Sequence, residues 1–185
     1  MISGEHTYIR STDPDDASAL FRAYDARYPR ASLLDQRREP LMPTVGELQE
    51  MLGRKEAEQN AFYTVEDKAG EIRGFSSLRG ANGTNREACF GEMVLIFLDE
   101  DTYDGPIADE TLAHLQLQAF GRLRLNKIVA HCLDSEQGLR AFLLTQGFES
   151  SGKLRDVFYG QGRYQAIEAF SFHKPNGEDR GNAPA

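Results

Sequence analysis

The chain has 185 residues, of which 40% are hydrophobic and 27% are charged, and this composition suits one globular domain with a substantial core. Its formal net charge of −8 at pH 7 argues against a nucleic-acid partner, because phosphate backbones are bound by basic surfaces. Cys89 and Cys132 lie in apolar strand-like runs, which predicts buried free thiols rather than an extracellular disulfide scaffold. No apolar run has the length of a signal peptide or a membrane span, so we expect a cytoplasmic protein without a membrane partner.

The N-terminal part of the chain predicts a strand followed by a helix. The alternating run "HTYIR", at 6–10, is typical of a short strand. Asp13 followed by Pro14 predicts the start of a helix, because aspartate caps exposed amides and proline suits the first helical position. We expect this helix near 14–28.

A second helix is predicted near 44–58, where Thr44 and Glu47 form a T-x-x-E capping box. The segment between the two helices, residues 29–43, is bounded by prolines and is too long for a tight turn. Loops of this kind are often binding loops.

The middle of the chain predicts a hairpin, a central strand and a third helix. "AFYTVE", "DKAG" and "EIRGFSSL" read as strand, turn and strand. Six consecutive apolar residues, Met93 to Leu98, suit a strand covered on both faces. Asp109 is predicted to cap a helix near 109–123.

The C-terminal part predicts a strand in "NKIVAHCL", a helix near 136–146 with Ser135 as its cap, and a closing hairpin. Gly147 is predicted to end the helix, because glycine readily adopts the left-handed conformation found there. From residue 173 to 185 the chain is rich in Pro, Gly and Asn, which predicts a disordered C-terminal tail.

The order of elements is β-α-α-β-β-β-α-β-α-β-β, which predicts one α/β (α+β) domain with a mixed sheet in residues 1–172. Over nearly the whole chain this order resembles the GNAT (GCN5-related) N-acetyltransferase superfamily. The glycine at 147 before a phenylalanine, "GKLRD" at 152–156 and "GRY" at 162–164 are most similar to the ribosomal-protein and polyamine acetyltransferase branch.

The resemblance implies transfer of an acetyl group from acetyl-CoA, as co-substrate, to a primary amine of a small molecule or protein. In this family the fourth strand diverges from the fifth and its backbone groups hold the pantetheine arm. A following loop, [RQ]-x-x-G-x-[GA], offers amides to the pyrophosphate at a helix N-terminus. The positions that the resemblance assigns to the cofactor are Ile96, Leu98, Tyr103, Asp104, Gly105, Ile107, Ala108 and Asp109.

The loop departs from the family pattern. Tyr103 stands where Arg or Gln is usual, and Pro106, which has no N–H, replaces the first glycine. Carboxylates crowd residues 99–110, and like charges would repel a pyrophosphate there. These residues predict a degenerate CoA loop, and their spacing matches a calcium loop too poorly to predict a metal.

Glu92, on the predicted fourth strand, is the candidate general base for the amine, and its alternative interpretation is a solvent-facing strand glutamate. His131 is interpreted as a satisfied core histidine. Leu143 occupies the position of the family's general-acid tyrosine and transfers no proton. The predicted substrate-binding residues are Arg37 and Arg38 in the loop between the first two helices, and Tyr159 and Tyr164 beside the last hairpin turn.

Two hypotheses follow from these patterns. The first is a GNAT-type N-acetyltransferase, whose acidic surface favours a cationic acceptor. The second is a non-catalytic GNAT-fold module that has lost the pyrophosphate loop and the general acid, and binds a partner or an unusual acyl donor instead. The sequence leaves the oligomeric state open, with a homodimer among the alternatives.

Overall fold

The structure, a computed structural model, describes residues 1–23, 44–53, 61–79, 90–160 and 162–175. Eight strands form one sheet in this part of the chain. They are β1 (Ile2–Ser3), β2 (Thr7–Ser11), β3 (Ala61–Asp67), β4 (Ile72–Arg79), β5 (Phe90–Phe97), β6 (Lys127–Leu133), β7 (Glu149–Gly160) and β8 (Arg163–His173).

Four α-helices accompany the sheet in the same ranges: α1 (Ala17–Ala23), α2 (Val45–Gly53), α3 (Pro106–Gln116) and α4 (Gln137–Thr145). Short 3-10 helices at Pro14–Asp16 and Glu100–Asp104 precede α1 and α3, and α3 continues as a π-helix over Leu117–Arg122. The predicted order of elements is confirmed, with β1 as an additional strand.

The sheet has the strand order β1-β2-β3-β4-β5-β6-β8-β7. β5 and β6 pair in parallel and the other neighbouring strands pair antiparallel. The predicted mixed sheet is therefore confirmed, and its single parallel pair lies near the middle.

The apolar run of β5 lies in the middle of the sheet, as predicted. Met93 and Leu95 point to the side that carries α3 and α4, where they join the larger buried cluster. Val94 and Ile96 point to the opposite side and pack with residues of α1 and α2. A strand that is buried on both faces needs apolar residues at every position, which explains the continuous run.

The two predicted N-terminal caps are confirmed. Asp13 accepts a hydrogen bond from the Asp15 amide at 3.0 Å. Thr44 and Glu47 form the predicted box: the Thr44 amide donates to the Glu47 carboxylate at 2.7 Å, and the Glu47 amide donates to the Thr44 hydroxyl at 3.2 Å. The ends of these helices, beyond Ala23 and Gly53, fall outside the described residues.

The other two caps are wrong. Helix α3 begins at Pro106, with Gly105 as its N-cap, so Asp109 lies inside the first turn. The fixed φ of proline suits this first position and brings the start forward. Helix α4 has Glu136 rather than Ser135 at its N-cap, and the Glu136 side chain makes no capping hydrogen bond.

The predicted end of α4 is confirmed. Gly147 has φ of 80°, and its amide donates to the Leu144 carbonyl at 3.1 Å. The Phe148 amide donates to the Leu143 carbonyl at 2.9 Å, which completes a Schellman motif. This turn directs the chain into β7.

Strand β7 forms one edge of the sheet and contains a bulge. Leu154 pairs with Ile167 and position 158 pairs with Gln165, so residues 155–157 stand opposite a single residue of β8. Asp156 has φ of 54° within this bulge, a left-handed conformation that non-glycine residues adopt less often. The side chains of Leu154, Val157 and Tyr159 are exposed.

Candidate active site

The two parallel strands diverge at the centre of the sheet. Their pairing begins at Phe90 and Lys127 and ends at Met93 and Ala130. The remainder of β5, as far as Phe97, has no pairing with β6, which leaves a gap between the C-terminal ends of these two strands. The divergence expected from the resemblance is therefore present.

The register of β5 determines which backbone groups face this gap. The Leu98 amide donates to the Arg73 carbonyl at 2.9 Å, and backbone groups alternate in direction along a strand. Ile96 and Leu98 therefore direct their amide and carbonyl groups toward β4. Leu95 and Phe97, which the resemblance did not assign to the cofactor, direct theirs toward the gap.

Tyr103 is part of the core, with 8% of its surface exposed. Its ring packs edge-on against Phe97, with centroids 5.0 Å apart, and contacts Phe142 of α4 at 6.1 Å. Its hydroxyl donates to the Leu95 carbonyl at 3.1 Å. The Tyr103 hydroxyl thus already hydrogen-bonds to a carbonyl beside the gap. The buried side chain does not replace the Arg or Gln of the family pattern.

The loop before α3 and the first turn of α3 each have one hydrogen bond to α4 or its C-cap residue. The Glu100 carboxylate accepts a hydrogen bond from the Gly138 amide at 3.1 Å. The Asp109 carboxylate accepts one from the Gln146 side-chain amide at 2.7 Å. Two of the crowded carboxylates therefore have structural partners, which accounts for part of the acidic character of this segment.

The start of α3 presents fewer amides than the family pattern. Pro106 has no N–H, and the amides of Ala108 and Asp109 both donate to the Gly105 carbonyl, at 3.1 and 3.5 Å. Ala108 is buried, Ile107 packs against the core, and Asp104 is exposed. The predicted departure from the phosphate-binding pattern is thus visible in the backbone.

Basic residues nevertheless lie beside this helix start. A cavity of about 480 Å³ lies between the β3–β4 turn and the N-terminus of α3. Its charged or titratable lining residues are His6, Asp67, Lys68, Arg73 and Asp101. Basic groups distant in sequence therefore offset part of the carboxylate charge that the loop itself does not balance.

Glu92 and His131 meet where β5 and β6 begin to diverge. The Glu92 carboxylate lies 2.9 Å from His131 Nδ1, and their side chains are 32% and 36% exposed. The hydrogen bond to His131 lowers the pKa of the Glu92 carboxyl, and the charges of His131 and Arg79 act in the same direction against the effect of burial. The interpretation of His131 as a core histidine is wrong, because it is a partly exposed partner of Glu92.

Leu143, at the position of the general-acid tyrosine, and Glu136, at the N-cap of α4, have structural roles here. Leu143 is 0% exposed and belongs to the core cluster. Glu136 accepts a hydrogen bond from the Leu133 amide at 2.7 Å and joins β6 to α4. Leu143 has no proton to transfer, and the Glu136 carboxylate is buried in its contact with the β6 backbone.

The structure describes two of the four predicted substrate residues. Tyr159 and Tyr164 are 60% and 65% exposed and face each other across the β7–β8 hairpin, with ring centroids 5.2 Å apart. His131 pairs with Ala169, five positions along β8 from Tyr164, so the structure does not bring the tyrosine pair to the Glu92 site. Arg37 and Arg38 fall outside the described residues.

Three expectations concerned metal ligands, membrane-spanning helices and the two cysteines. No group of three or more His, Cys, Asp or Glu side chains in the described residues is arranged to hold a metal ion. Within the same ranges, no helix has both the length and the apolar character needed to cross a membrane. Cys132 is a buried free thiol, as predicted, whereas Cys89 falls outside the described residues.

Comparison with solved structures identifies the fold. A probable acetyltransferase superimposes with a TM-score of 0.74 at 22% identity, over 92% of this chain and 94% of its own. A spermidine N-acetyltransferase from Vibrio cholerae in complex with CoA and spermine gives 0.73 at 19% identity, over 92% and 96%. A dodecameric structure of spermidine N-acetyltransferase from Vibrio cholerae gives 0.70 at 19% identity, over 92% and 95%.

The chain therefore has the GNAT acetyltransferase fold, and the predicted resemblance is confirmed at that level. No family model matches the sequence, and no curated relative matches it. The fold is thus established by structural likeness, and the chemistry has to be argued from the site.

Proposed function

We propose that this protein is an N-acetyltransferase that moves an acetyl group from acetyl-CoA to a primary amine of a small molecule or protein. The observation that carries the proposal is the position of Glu92. Glu92 lies one residue before the point where the pairing of β5 with β6 ends, on the side of the sheet that α1 and α2 cover. An ionisable side chain at that point is suitably placed for the proton transfers that amide formation requires.

The residues present fit acetyl-CoA at the gap. The backbone groups of Leu95 and Phe97 face it and would hold the pantetheine arm. Lys68 and Arg73, in the cavity beside α3, supply cations near the helix start where a pyrophosphate would lie. When bound, acetyl-CoA supplies the activated acetyl group. The Tyr103 hydroxyl already donates to the Leu95 carbonyl, so a ligand would share this acceptor with Tyr103 or displace it.

A cationic acceptor is the substrate class that we propose to test first. The net charge of −8 favours approach of polyamines over anionic acceptors. The neighbour from Vibrio cholerae is a spermidine N-acetyltransferase that binds spermine, which makes spermidine and spermine reasonable probes. The predicted acceptor residues Arg37 and Arg38 remain part of the proposal, and Tyr159 and Tyr164 remain in it as contacts for a part of the acceptor distant from Glu92. Because another neighbour is dodecameric, self-association is a further expectation.

The test combines binding and turnover. Thermal unfolding is measured with and without acetyl-CoA, since a ligand at 100 times its dissociation constant stabilises by about 2.7 kcal/mol. For a domain of this size, that raises the midpoint by about 5–10 °C. Release of free CoA thiol is then followed with spermidine, spermine and a lysine-containing peptide, and mass spectrometry identifies the acetylated product.

The Glu92→Gln variant separates binding from turnover, because it keeps the shape of the side chain and removes its charge. We expect it to retain the thermal shift and to lose most of the thiol release. If acetyl-CoA shifts no midpoint and no amine is acetylated, the enzyme proposal is rejected and the binding-module hypothesis is supported.

A further inference from the structure

The hydrogen bond between Glu92 and His131 defines the protonation of the histidine ring. An ionised carboxylate can only accept, so His131 Nδ1 must donate in the 2.9 Å contact. In the neutral ring the second nitrogen, Nε2, then carries no proton and is able to accept one. The pairing therefore selects the tautomer that a general base needs.

The pair lies on the side of the sheet that α1 and α2 cover. Glu92 shares its side of β5 with Val94 and Ile96, which pack against the cluster of α1 and α2 residues. His131 alternates with Ala130 and Cys132, which belong to the α3–α4 cluster, so its ring projects to the same side as Glu92. Both side chains are about one-third exposed and are within reach of solvent.

We propose that His131 accepts the proton of the attacking amine and that Glu92 is its positioning residue. This inference rests on the proposed function and names the proton acceptor for that same site. It reverses the sequence-based assignment, in which Glu92 was the base and His131 a core residue.

Amide formation releases one proton from the acceptor nitrogen and leaves a thiolate on CoA. The amine nitrogen of the acceptor attacks the thioester carbonyl carbon, a C–N bond forms, and the C–S bond breaks with its electron pair on sulfur. His131 Nε2 takes the proton that the nitrogen loses, and Glu92 stabilises the resulting imidazolium through Nδ1. The proton passes through solvent to the CoA thiolate, which restores the neutral ring. Leu143, in the core, takes no part.

The pH dependence involves a small set of neighbours. On the α1–α2 side of β4, β5, β6 and β8, the charged or titratable side chains near this position in the described residues are Arg79, Glu92, Lys127 and His173. Glu92 is the single carboxylate among them and the one that contacts His131, which makes it the residue to vary when pH–rate profiles are compared.

The experiment compares the parent with His131→Gln, Glu92→Gln, Glu92→Asp and the control His173→Gln, a histidine on the same side of the sheet. Profiles of kcat/KM against pH are measured with acetyl-CoA and spermidine. We expect His131→Gln to lower kcat by about 10²–10⁴-fold and to abolish the acidic limb. Glu92→Gln should lower kcat with little change in KM, Glu92→Asp should restore part of the rate, and His173→Gln should resemble the parent.

A second measurement does not depend on turnover. The Glu92 carboxyl is titrated by ¹³C NMR in the parent and in His131→Gln, where loss of the hydrogen bond should raise the pKa of Glu92. An unchanged Glu92 titration would overturn the positioning role. A His131→Gln variant as active as an active parent would overturn the assignment of the base and leave the proposed function intact. An inactive parent would overturn the proposed function and the assignment of the base together.

Discussion

Substitution of Tyr103 by Phe should weaken folding and strengthen acetyl-CoA binding. The Tyr103 hydroxyl donates to the Leu95 carbonyl at 3.1 Å, whereas the ring makes separate contacts with Phe97 and Phe142. Phenylalanine keeps the ring contacts and removes the hydrogen bond to Leu95. The Leu95 carbonyl faces the gap where the pantetheine arm is expected, so the substitution removes the Tyr103 hydroxyl as a competitor for this acceptor.

The magnitude follows from that single bond. A buried hydrogen bond contributes about 0.5–1.5 kcal/mol to the free energy of unfolding, so Tyr103→Phe should lower stability by about that amount. A ligand that uses the same carbonyl no longer has to displace the hydroxyl. Its dissociation constant should then fall by up to about tenfold, since each factor of ten corresponds to about 1.4 kcal/mol.

Urea denaturation measures the first effect and titration calorimetry with acetyl-CoA the second. Tyr159→Phe is the control, because Tyr159 is exposed on the β7–β8 hairpin and should change neither quantity. If Tyr103→Phe loses stability but binds acetyl-CoA with the affinity of the parent, the ligand does not use the Leu95 carbonyl. The role assigned to the gap would then be incorrect.

Three other predictions concern stability and the acceptor. Burial, and then the charge of Arg122, lowers the pKa of His114, so the folded chain takes up this proton at lower pH than the unfolded chain. The contribution of neutral His114 to the free energy of unfolding is complete above the unfolded pKa of about 6.5 and is lost as the pH falls below it. Urea denaturation at a series of pH values should therefore show a smaller loss of stability at low pH in His114→Phe than in the parent. Leu143→Tyr should not restore a general acid; it should lower the free energy of unfolding by about 1–3 kcal/mol, because the fully buried site has no room for the hydroxyl, and a faster thiol release would contradict this. Replacement of Arg37 and Arg38 by Ala should alter acceptor affinity in calorimetry while stability changes by less than about 0.5 kcal/mol, and unchanged affinity for every acceptor would make the loop a connector.

Local signals in the sequence were sufficient for most of the fold. The capping box at Thr44, the glycine at 147 and the apolar run from Met93 each act over a few residues, and the structure contains all three features. The prediction of the α3 start was wrong because two local signals competed. Pro106, suited to a first turn, determined the start rather than Asp109.

The candidate site was harder to predict, because its contacts join distant parts of the chain. Glu92 and His131 are separated by 39 positions, and their contact depends on the parallel register of β5 and β6. Lys68 and Arg73 reach the start of α3 only through the turn between β3 and β4. The backbone groups of Leu95, rather than those of Ile96, face the gap. This could be inferred only once the hydrogen-bonding neighbour of each β5 residue was known.

The bulge of β7 bears on the solubility of the protein. An outermost strand with unpaired amides and carbonyls is a template on which a foreign segment can align and begin aggregation. Here residues 155–157 interrupt the regular spacing of those groups and turn the strand locally. Straightening this stretch, for example by deletion of two residues from it, should increase turbidity on heating. The irregular strand therefore protects a surface that carries the exposed side chains of Leu154 and Tyr159.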